Sequence, residues 1–235
     1  MPESTSKLTL VTYNIHHAAG MDRRISIPRI AGVLKDADAG VACIQEVDCR
    51  VVRSRRSHQP RLLAKALGMK AVYGATLKWP LGARYGNLVL TRLPLIVAHT
   101  HNLPLGDEQR GVVEVHVEAP FGPIAVFCTH WGLTDDERVE QAEATVRYIK
   151  RAKLPALLAG DFNEGPDGRA HAILTAAGLT RLGTSEPTYP AVDPETCIDH
   201  VYGTTHWRVE DSYAIPSLAS DHRPVVVELQ YVPGA

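Results

Sequence analysis

Residues 156–163 of the sequence read ALLAGDFN, an apolar run that ends in a glycine and then presents Asp161 and Asn163 two positions apart. A short aliphatic run bounded by glycine and polar residues predicts a buried β-strand. Side chains two positions apart on an extended chain lie on the same side. We therefore expect both polar groups to face one space at the end of this strand, where functional residues are commonly carried.

Similar apolar runs predict strands along the whole chain, and helical periodicity appears in fewer places. The other predicted strands are 8–15, 40–44, 71–76, 87–91, 95–99, 112–117, 124–129, 198–202 and 225–231. The predicted helices are 27–37, 60–67, 135–151 and 168–177. Strand follows strand in the middle of the chain, whereas strands and helices alternate on the flanks. This order predicts an α/β (α+β) fold in which two mixed β-sheets pack face to face with helices outside.

The composition limits the domain organisation and the class of partner. With 235 residues, 45% of them hydrophobic, and no low-complexity linker, residues 1–235 are expected to form one domain. The formal net charge of −1 gives no global positive field that would draw the chain onto nucleic acid or an anionic membrane. No signal peptide is visible, and no run approaches the roughly 20 apolar residues of a transmembrane helix, so we expect a cytoplasmic protein. The oligomeric state stays open.

Polar side chains lie at or near the ends of several predicted strands. They are Asn14, Glu46, His130, Asp161, Asn163, Asp199, Asp221 and His222. Carboxylates and imidazoles gathered at one rim of two sheets are costly without an ion or a ligand. Oxygen ligands without a thiolate set suit Mg²⁺ or Mn²⁺ better than Zn²⁺, and Ca²⁺ has similar ligand demands. Because Mg²⁺ completes its shell with substrate phosphate oxygens, the pattern predicts hydrolysis of a phosphate ester.

Short motifs follow one another from Thr12 to Pro224, which is nearly the whole chain. In order they are TYNI, QE, RYGNLVLTRLP, QRG, THW, GDFN, IDH and SDHRP. Together they resemble the endonuclease/exonuclease/phosphatase superfamily, the metal-dependent group that includes deoxyribonuclease I, exonuclease III, neutral sphingomyelinases and inositol polyphosphate 5-phosphatases. The resemblance implies a four-layered α/β sandwich and a divalent-metal-dependent phosphoesterase.

The resemblance also implies which residues bind the metal and the phosphate. Glu46 is similar to the principal metal ligand, with Asn14 close by, and Asp221 is similar to a further acid near the metal. Arg110 and Asn87 resemble contacts on the phosphate side.

Five further residues resemble the catalytic groups of the superfamily. Asp161 and Asn163 are similar to the pair that positions or activates the attacking water. His222 matches the catalytic histidine, and Asp199 matches the carboxylate that orients it. His130 matches a second phosphate-facing histidine of the deoxyribonuclease and sphingomyelinase branches. The general base is either His222 or Asp161.

Three kinds of function compete. A phosphodiesterase acting on small molecules or lipid headgroups is favoured by the near-neutral charge, with sphingomyelinase-like phospholipase C and phosphomonoesterase activity as variants. A DNA or RNA nuclease is not favoured, because a more basic balance is expected. A non-catalytic binding module is expected to lack the metal-ligating Glu or the catalytic His, and both Glu46 and His222 are present. We place His16 and His17 outside the catalytic set and interpret His200 as structural.

Overall fold

The computed structural model describes residues 6–234, and its strands and helices alternate much as the sequence predicts. The strands are β1 (Lys7–Asn14), β2 (Val41–Cys49), β3 (Lys70–Lys78), β4 (Arg84–Thr91), β5 (Leu95–Asn102), β6 (Gly111–Ala119), β7 (Gly122–His130), β8 (Ala156–Asp161), β9 (Thr180–Arg181), β10 (Asp199–Gly203), β11 (Trp207–Ala214) and β12 (Val225–Tyr231). The helices are α1 (Ile27–Asp36), α2 (Gln59–Leu67), α3 (Asp135–Ala152) and α4 (Arg169–Ala176).

The strands form two six-stranded mixed sheets. The first has the order β11-β12-β1-β2-β4-β3, and the second has the order β5-β6-β7-β8-β10-β9. Each sheet has a parallel pair near its middle, β1 with β2 and β7 with β8, and antiparallel neighbours around it. A parallel pair brings the carboxyl ends of two strands to the same edge, so each sheet places strand ends side by side at one rim.

Side-chain alternation along β1 shows how the layers form. Leu10 points into the core between the sheets, where it packs with residues of the second sheet such as Val126. The next residue, Val11, lies on the opposite face and packs against Leu34 of α1. A third core, under α3 and α4, covers the outer face of the second sheet. The result is the predicted four-layered sandwich of helices, sheet, sheet and helices, and the fold prediction is confirmed.

Helix α3 begins where its sequence predicts. Thr134 caps the helix, its side chain accepting from the backbone N–H of Glu137, and the Glu137 carboxylate accepts from the backbone N–H of Thr134. This capping box satisfies N–H groups that have no partner within the helix. Among residues 6–234, no helix combines the length and the apolar character that a membrane span requires.

The sequence did not predict two of the strands, β9 and β11. Strand β11 reads WRVEDSYA, and four of its eight residues are exposed because it lies at the edge of the first sheet. Edge strands carry charged residues that discourage pairing with other chains, and these residues break the apolar run that marks a strand. Strand β2 also continues to Cys49, beyond its predicted end at residue 44, so Glu46 lies inside a strand rather than after it.

Candidate active site

The ends of strands from both sheets meet at one rim. Asn14 is the last residue of β1, His130 the last of β7 and Asp161 the last of β8, while Asp199 is the first residue of β10. In the second sheet, Asp161 pairs in register with His130 on one side and with Asp199 on the other. The pairing therefore sets these three side chains in one row across three strands.

Asn14 joins the two sheets at this rim. Its Nδ2 donates to Glu46 Oε1 at 3.0 Å and to Asp161 Oδ2 at 2.9 Å. Its Oδ1 accepts from the backbone N–H of His16 at 3.1 Å. Since Asn14 is buried and every polar atom of its side chain has a partner, the amide fixes the two carboxylates relative to each other.

Glu46 reaches the rim because β2 is irregular there. The register against β4 shifts between Ile44 and Val47, and Glu46 has a φ of 60°. A bulge of this kind re-aims a side chain, and bulges are common beside active sites. Burial raises the pKa of Glu46 and the negative charges of Asp161 and Asp221 raise it further, against the opposing hydrogen bond from Asn14. A bound cation would relieve this repulsion between carboxylates.

His222 is held by a buried carboxylate. Its Nδ1 lies 2.9 Å from Asp199 Oδ2, and its Nε2 lies 3.7 Å from Asp161 Oδ2. Burial alone would lower the pKa of His222, but the charges of Asp199 and Asp161 outweigh it and raise the pKa to about 10. The half-exposed ring of Tyr189 lies against the imidazole, with ring centroids 4.8 Å apart.

His130 lies on the other side of Asp161, and its pKa is shifted in the opposite direction to that of His222. Arg110 Nη1 lies 3.2 Å from its Nδ1, and a guanidinium can only donate, so Nδ1 is the acceptor. Its Nε2 therefore carries the proton and faces Asp161 Oδ2 at 3.5 Å. Burial lowers the pKa of His130 to about 3, and the positive charges of Arg110 and His222 act in the same direction while Asp161 opposes them.

Asn163 and Asn87 are near the rim, but backbone groups hold their amides. Asn163 donates through Nδ2 to the Trp131 carbonyl at 2.8 Å, and its backbone N–H donates to Asp161 Oδ1 at 2.9 Å. The expectation of an extended Asp161–Asn163 segment is wrong, because β8 ends at Asp161 and Asn163 has a φ of 51°. Asn87 donates to the Gly111 carbonyl at 2.9 Å and lines one narrow crevice with Arg110 and His130.

Asp221 approaches the rim from the loop before β12. Ser220 Oγ donates to the backbone carbonyl of Asn14 at 2.8 Å and so ties this loop to the end of β1. Asp221 Oδ2 lies 3.5 Å from His16 Nδ1. His16 and His17, which the sequence does not place in the catalytic set, each have one ring nitrogen within 4.8 Å of the other's and of a Glu46 carboxylate oxygen. The signal that could have found them is their position directly after TYNI.

The donors at the rim fit a divalent cation. Glu46, Asp161 and Asp221 bring three carboxylates to the rim around Asn14, and burial, together with the charges of Asp161 and Asp221, raises the pKa of Glu46. His200, interpreted as structural, lies behind the rim and is fully buried, where its Nε2 donates to the Glu164 carbonyl at 2.9 Å.

Comparisons with known proteins place the chain in a family. The sequence model of the Endonuclease/Exonuclease/phosphatase family matches residues 11–222. The chain is 27% identical over 255 residues to the uncharacterized protein YbhP of Escherichia coli K12, and the match covers 97% of this chain and 99% of YbhP.

Solved structures share the fold. An endonuclease/exonuclease/phosphatase from Beutenbergia cavernae DSM 12333 superposes with a TM-score of 0.84 at 23% identity, covering 96% of this chain and 72% of that one. A mannosyl-6-phosphatase of Bacteroides thetaiotaomicron VPI-5482 superposes with a TM-score of 0.78 at 20% identity, covering 95% and 100%. The family match spans most of the chain, and the chain therefore belongs to the endonuclease/exonuclease/phosphatase family, whose members hydrolyse phosphoesters and typically depend on a divalent metal.

Proposed function

We propose that the protein is a divalent-metal-dependent phosphodiesterase that hydrolyses a phosphate ester by in-line attack of water. The observation that carries the proposal is the convergence on Asp161 Oδ2, which lies 2.9 Å from Asn14 Nδ2, 3.5 Å from His130 Nε2 and 3.7 Å from His222 Nε2. One buried carboxylate surrounded by three nitrogen groups can orient a water molecule and receive its proton while donors remain for the phosphoryl oxygens.

In this proposal Asp161 orients the attacking water and accepts its proton. Its Oδ1 is held by the backbone N–H of Asn163, so Oδ2 is the oxygen that faces the two imidazoles. As the water oxygen bonds to phosphorus, the ester P–O bond in line with it breaks and the leaving alkoxide departs to take up a proton from solvent, while His222, oriented by Asp199, presents Nε2 to the developing negative charge. The sequence leaves His222 and Asp161 as candidates for the general base, and this arrangement favours Asp161.

Glu46, Asn14 and Asp221 would hold the metal, and Arg110, Asn87 and His130 would contact the phosphate. A bound divalent ion supplies charge neutralisation at a phosphoryl oxygen. Arg110 is well placed for an anion, because it is largely buried, its Nη1 contacts Glu108 and His130, and its buried Nε has no hydrogen-bond partner among residues 6–234.

A phosphomonoesterase is the second candidate. The mannosyl-6-phosphatase with the same fold is named for a monoester, which supports this alternative. A nuclease fits less well, since the formal net charge is −1 and duplex binding relies on many phosphate contacts. A non-catalytic binding module is not favoured, because the carboxylates and imidazoles of the site lie in one contact network.

Hydrolysis of bis(p-nitrophenyl) phosphate beside p-nitrophenyl phosphate tests the proposal. We expect turnover of the diester that depends on added Mg²⁺ or Mn²⁺, stops with a chelator and falls about 10²- to 10⁴-fold in His222→Ala. The matched control is His99→Ala, which removes an exposed imidazole from the edge strand β5. Turnover that survives the chelator, or equal turnover in the two variants, would contradict the proposal, and faster turnover of the monoester would favour the second candidate.

A further inference from the structure

The segment that follows β1 has an unusual backbone. His16, His17 and Ala18 have φ values of 42°, 46° and 63°, so three consecutive residues that are not glycine adopt the left-handed conformation. Single residues of this kind are uncommon, and they cluster at active sites and ligand clamps. Glu46, whose side chain faces this segment, is also left-handed, with a φ of 60°. Four strained residues therefore converge at one place.

Hydrogen bonds from the surrounding structure hold this turn. The carbonyl of His17 accepts from Nε2 of the fully buried Gln59 at 2.7 Å. The backbone N–H of His16 donates to Asn14 Oδ1, and the N–H of Ala18 donates to the Ile15 carbonyl at 2.7 Å. Because the backbone is fixed on both sides of the two histidines, their rings are presented in a set direction.

The two imidazoles and Glu46 form a compact group of ligand atoms. One ring nitrogen of each histidine and one carboxylate oxygen of Glu46 all lie within 4.8 Å of one another. The rings meet edge to face with centroids 4.4 Å apart. His17 Nδ1 is shielded from solvent and has no hydrogen-bond partner among residues 6–234. A nitrogen lone pair in this position is available to a ligand.

The charges around this group select the kind of ligand. Glu46 and, through His16, the carboxylate of Asp221 at 3.5 Å place negative charge beside the rings, which disfavours an anion such as phosphate. The nearby cation Arg53 is neutralised, since its Nε and Nη2 each donate to Asp48 at 2.9 Å. The group therefore suits a cation bound by neutral imidazole and carboxylate.

We propose that His16 and His17 join Glu46 as ligands of a divalent transition-metal ion, so that this site prefers a transition metal to Mg²⁺. Imidazole suits transition metals, whereas Mg²⁺ is held by oxygen ligands and water. The inference rests on the proposed function, because Glu46 is the metal ligand in both. Metal coordination would also explain the left-handed turn at His16 and His17, because both imidazoles must be held in one orientation to bind one ion.

Metal binding without substrate tests this inference. The metal-free protein is titrated with Mn²⁺ while free Mn²⁺ is followed by electron paramagnetic resonance, and Mg²⁺ binding is measured by competition. The test variant is His16→Asn/His17→Asn, because asparagine tolerates the left-handed conformation and preserves the turn. His17→Asn alone is a second variant, and His99→Asn on β5 is the matched control. Thermal unfolding without metal reports whether each variant folds.

We expect the double variant to bind Mn²⁺ at least about tenfold more weakly than the wild type, with Mg²⁺ affinity unchanged within about twofold. Pulsed electron paramagnetic resonance of bound Mn²⁺ should show ¹⁴N modulation from imidazole in the wild type and in His99→Asn, and weaker modulation in His17→Asn and the double variant. Equal Mn²⁺ affinity, or ¹⁴N modulation unchanged by both substitutions, would overturn the inference. A wild-type protein that binds no divalent ion would overturn the proposed function as well.

Discussion

Replacing Asp199 with asparagine removes the negative charge of this side chain and keeps its shape. Asp199 is 1% exposed, and its Oδ2 lies 2.9 Å from His222 Nδ1, so it acts on the reaction only through the imidazole. Asparagine fills the same volume and its amide oxygen can accept the same hydrogen bond. What disappears is the negative charge, which is the strongest of the effects that raise the pKa of His222 to about 10.

The expected loss is large and falls mainly on kcat. A positioned acid or base contributes about 10²- to 10⁴-fold, and Asp199→Asn should lose a comparable factor, or ~3–5 kcal/mol of transition-state stabilisation. KM should change by less than about threefold, because a buried residue makes no contact with the substrate. Without the negative charge of Asp199, the pKa of His222 is lower, so His222 loses its proton at lower pH. The alkaline limb of the kcat profile should therefore move to lower pH.

Steady-state kinetics of bis(p-nitrophenyl) phosphate hydrolysis across pH measure all three effects. The control is Asp211→Asn, which removes an exposed carboxylate from the edge strand β11. Unfolding by urea reports any loss of stability from the altered ion pair separately from the kinetics. A fall in kcat with an unmoved alkaline limb would refute the electrostatic reasoning, and an unchanged kcat would remove the Asp199–His222 pair from the mechanism.

Further predictions concern stability. Gly160→Ala should destabilise the protein by about 1–3 kcal/mol in urea unfolding, because its Cβ would lie 2.1 Å from the Thr129 carbonyl oxygen. Gly32→Ala in α1 meets nothing within 4 Å and should stabilise by up to about 1 kcal/mol, so equal effects would contradict the packing argument. Burial lowers the pKa of His200 to about 3 in the folded protein, from 6.5. As the pH falls below 6.5, His200 is therefore protonated in the unfolded chain before it is protonated in the folded protein. Stability should then fall by up to about 1.4 kcal/mol per pH unit between these values, and His200→Gln should flatten this slope if the reasoning holds. Mn²⁺ at 100 times its dissociation constant should stabilise the wild type by about 2.7 kcal/mol, and an equal gain in Glu46→Gln would remove Glu46 from the metal site.

The layers of the fold could be predicted because local patterns dictate them. β1 alternates between the inter-sheet core and the helix-facing core, and Thr134 with Glu137 marks the start of α3, so both follow from neighbouring residues. Strand β11 could not be predicted in the same way. Its pairing with β12 depends on a partner elsewhere in the chain, and its exposed edge position removes the apolar signal.

The residues of the candidate site could be predicted better than their geometry. Asp161 was expected at a strand end and is found there, but Asn163 departs from the extended path because its backbone N–H turns back to Asp161 Oδ1. Glu46 reaches the rim through a bulge that only the pairing of β2 with β4 defines. His16 and His17 follow TYNI directly, but the left-handed turn that directs their rings towards Glu46 contains no glycine that would mark it in the sequence.

The two imidazoles beside Asp161 show how the site assigns different tasks to one residue type. The charges of Asp199 and Asp161 raise the pKa of His222 despite its burial, whereas burial lowers the pKa of His130 and the guanidinium of Arg110 at its Nδ1 lowers it further. A cation and a neutral donor then lie on opposite sides of the Asp161 carboxylate, so that two positive charges do not flank it. The division of roles therefore depends on the residues behind the imidazoles, which is where variants that change the chemistry without changing the fold should be sought.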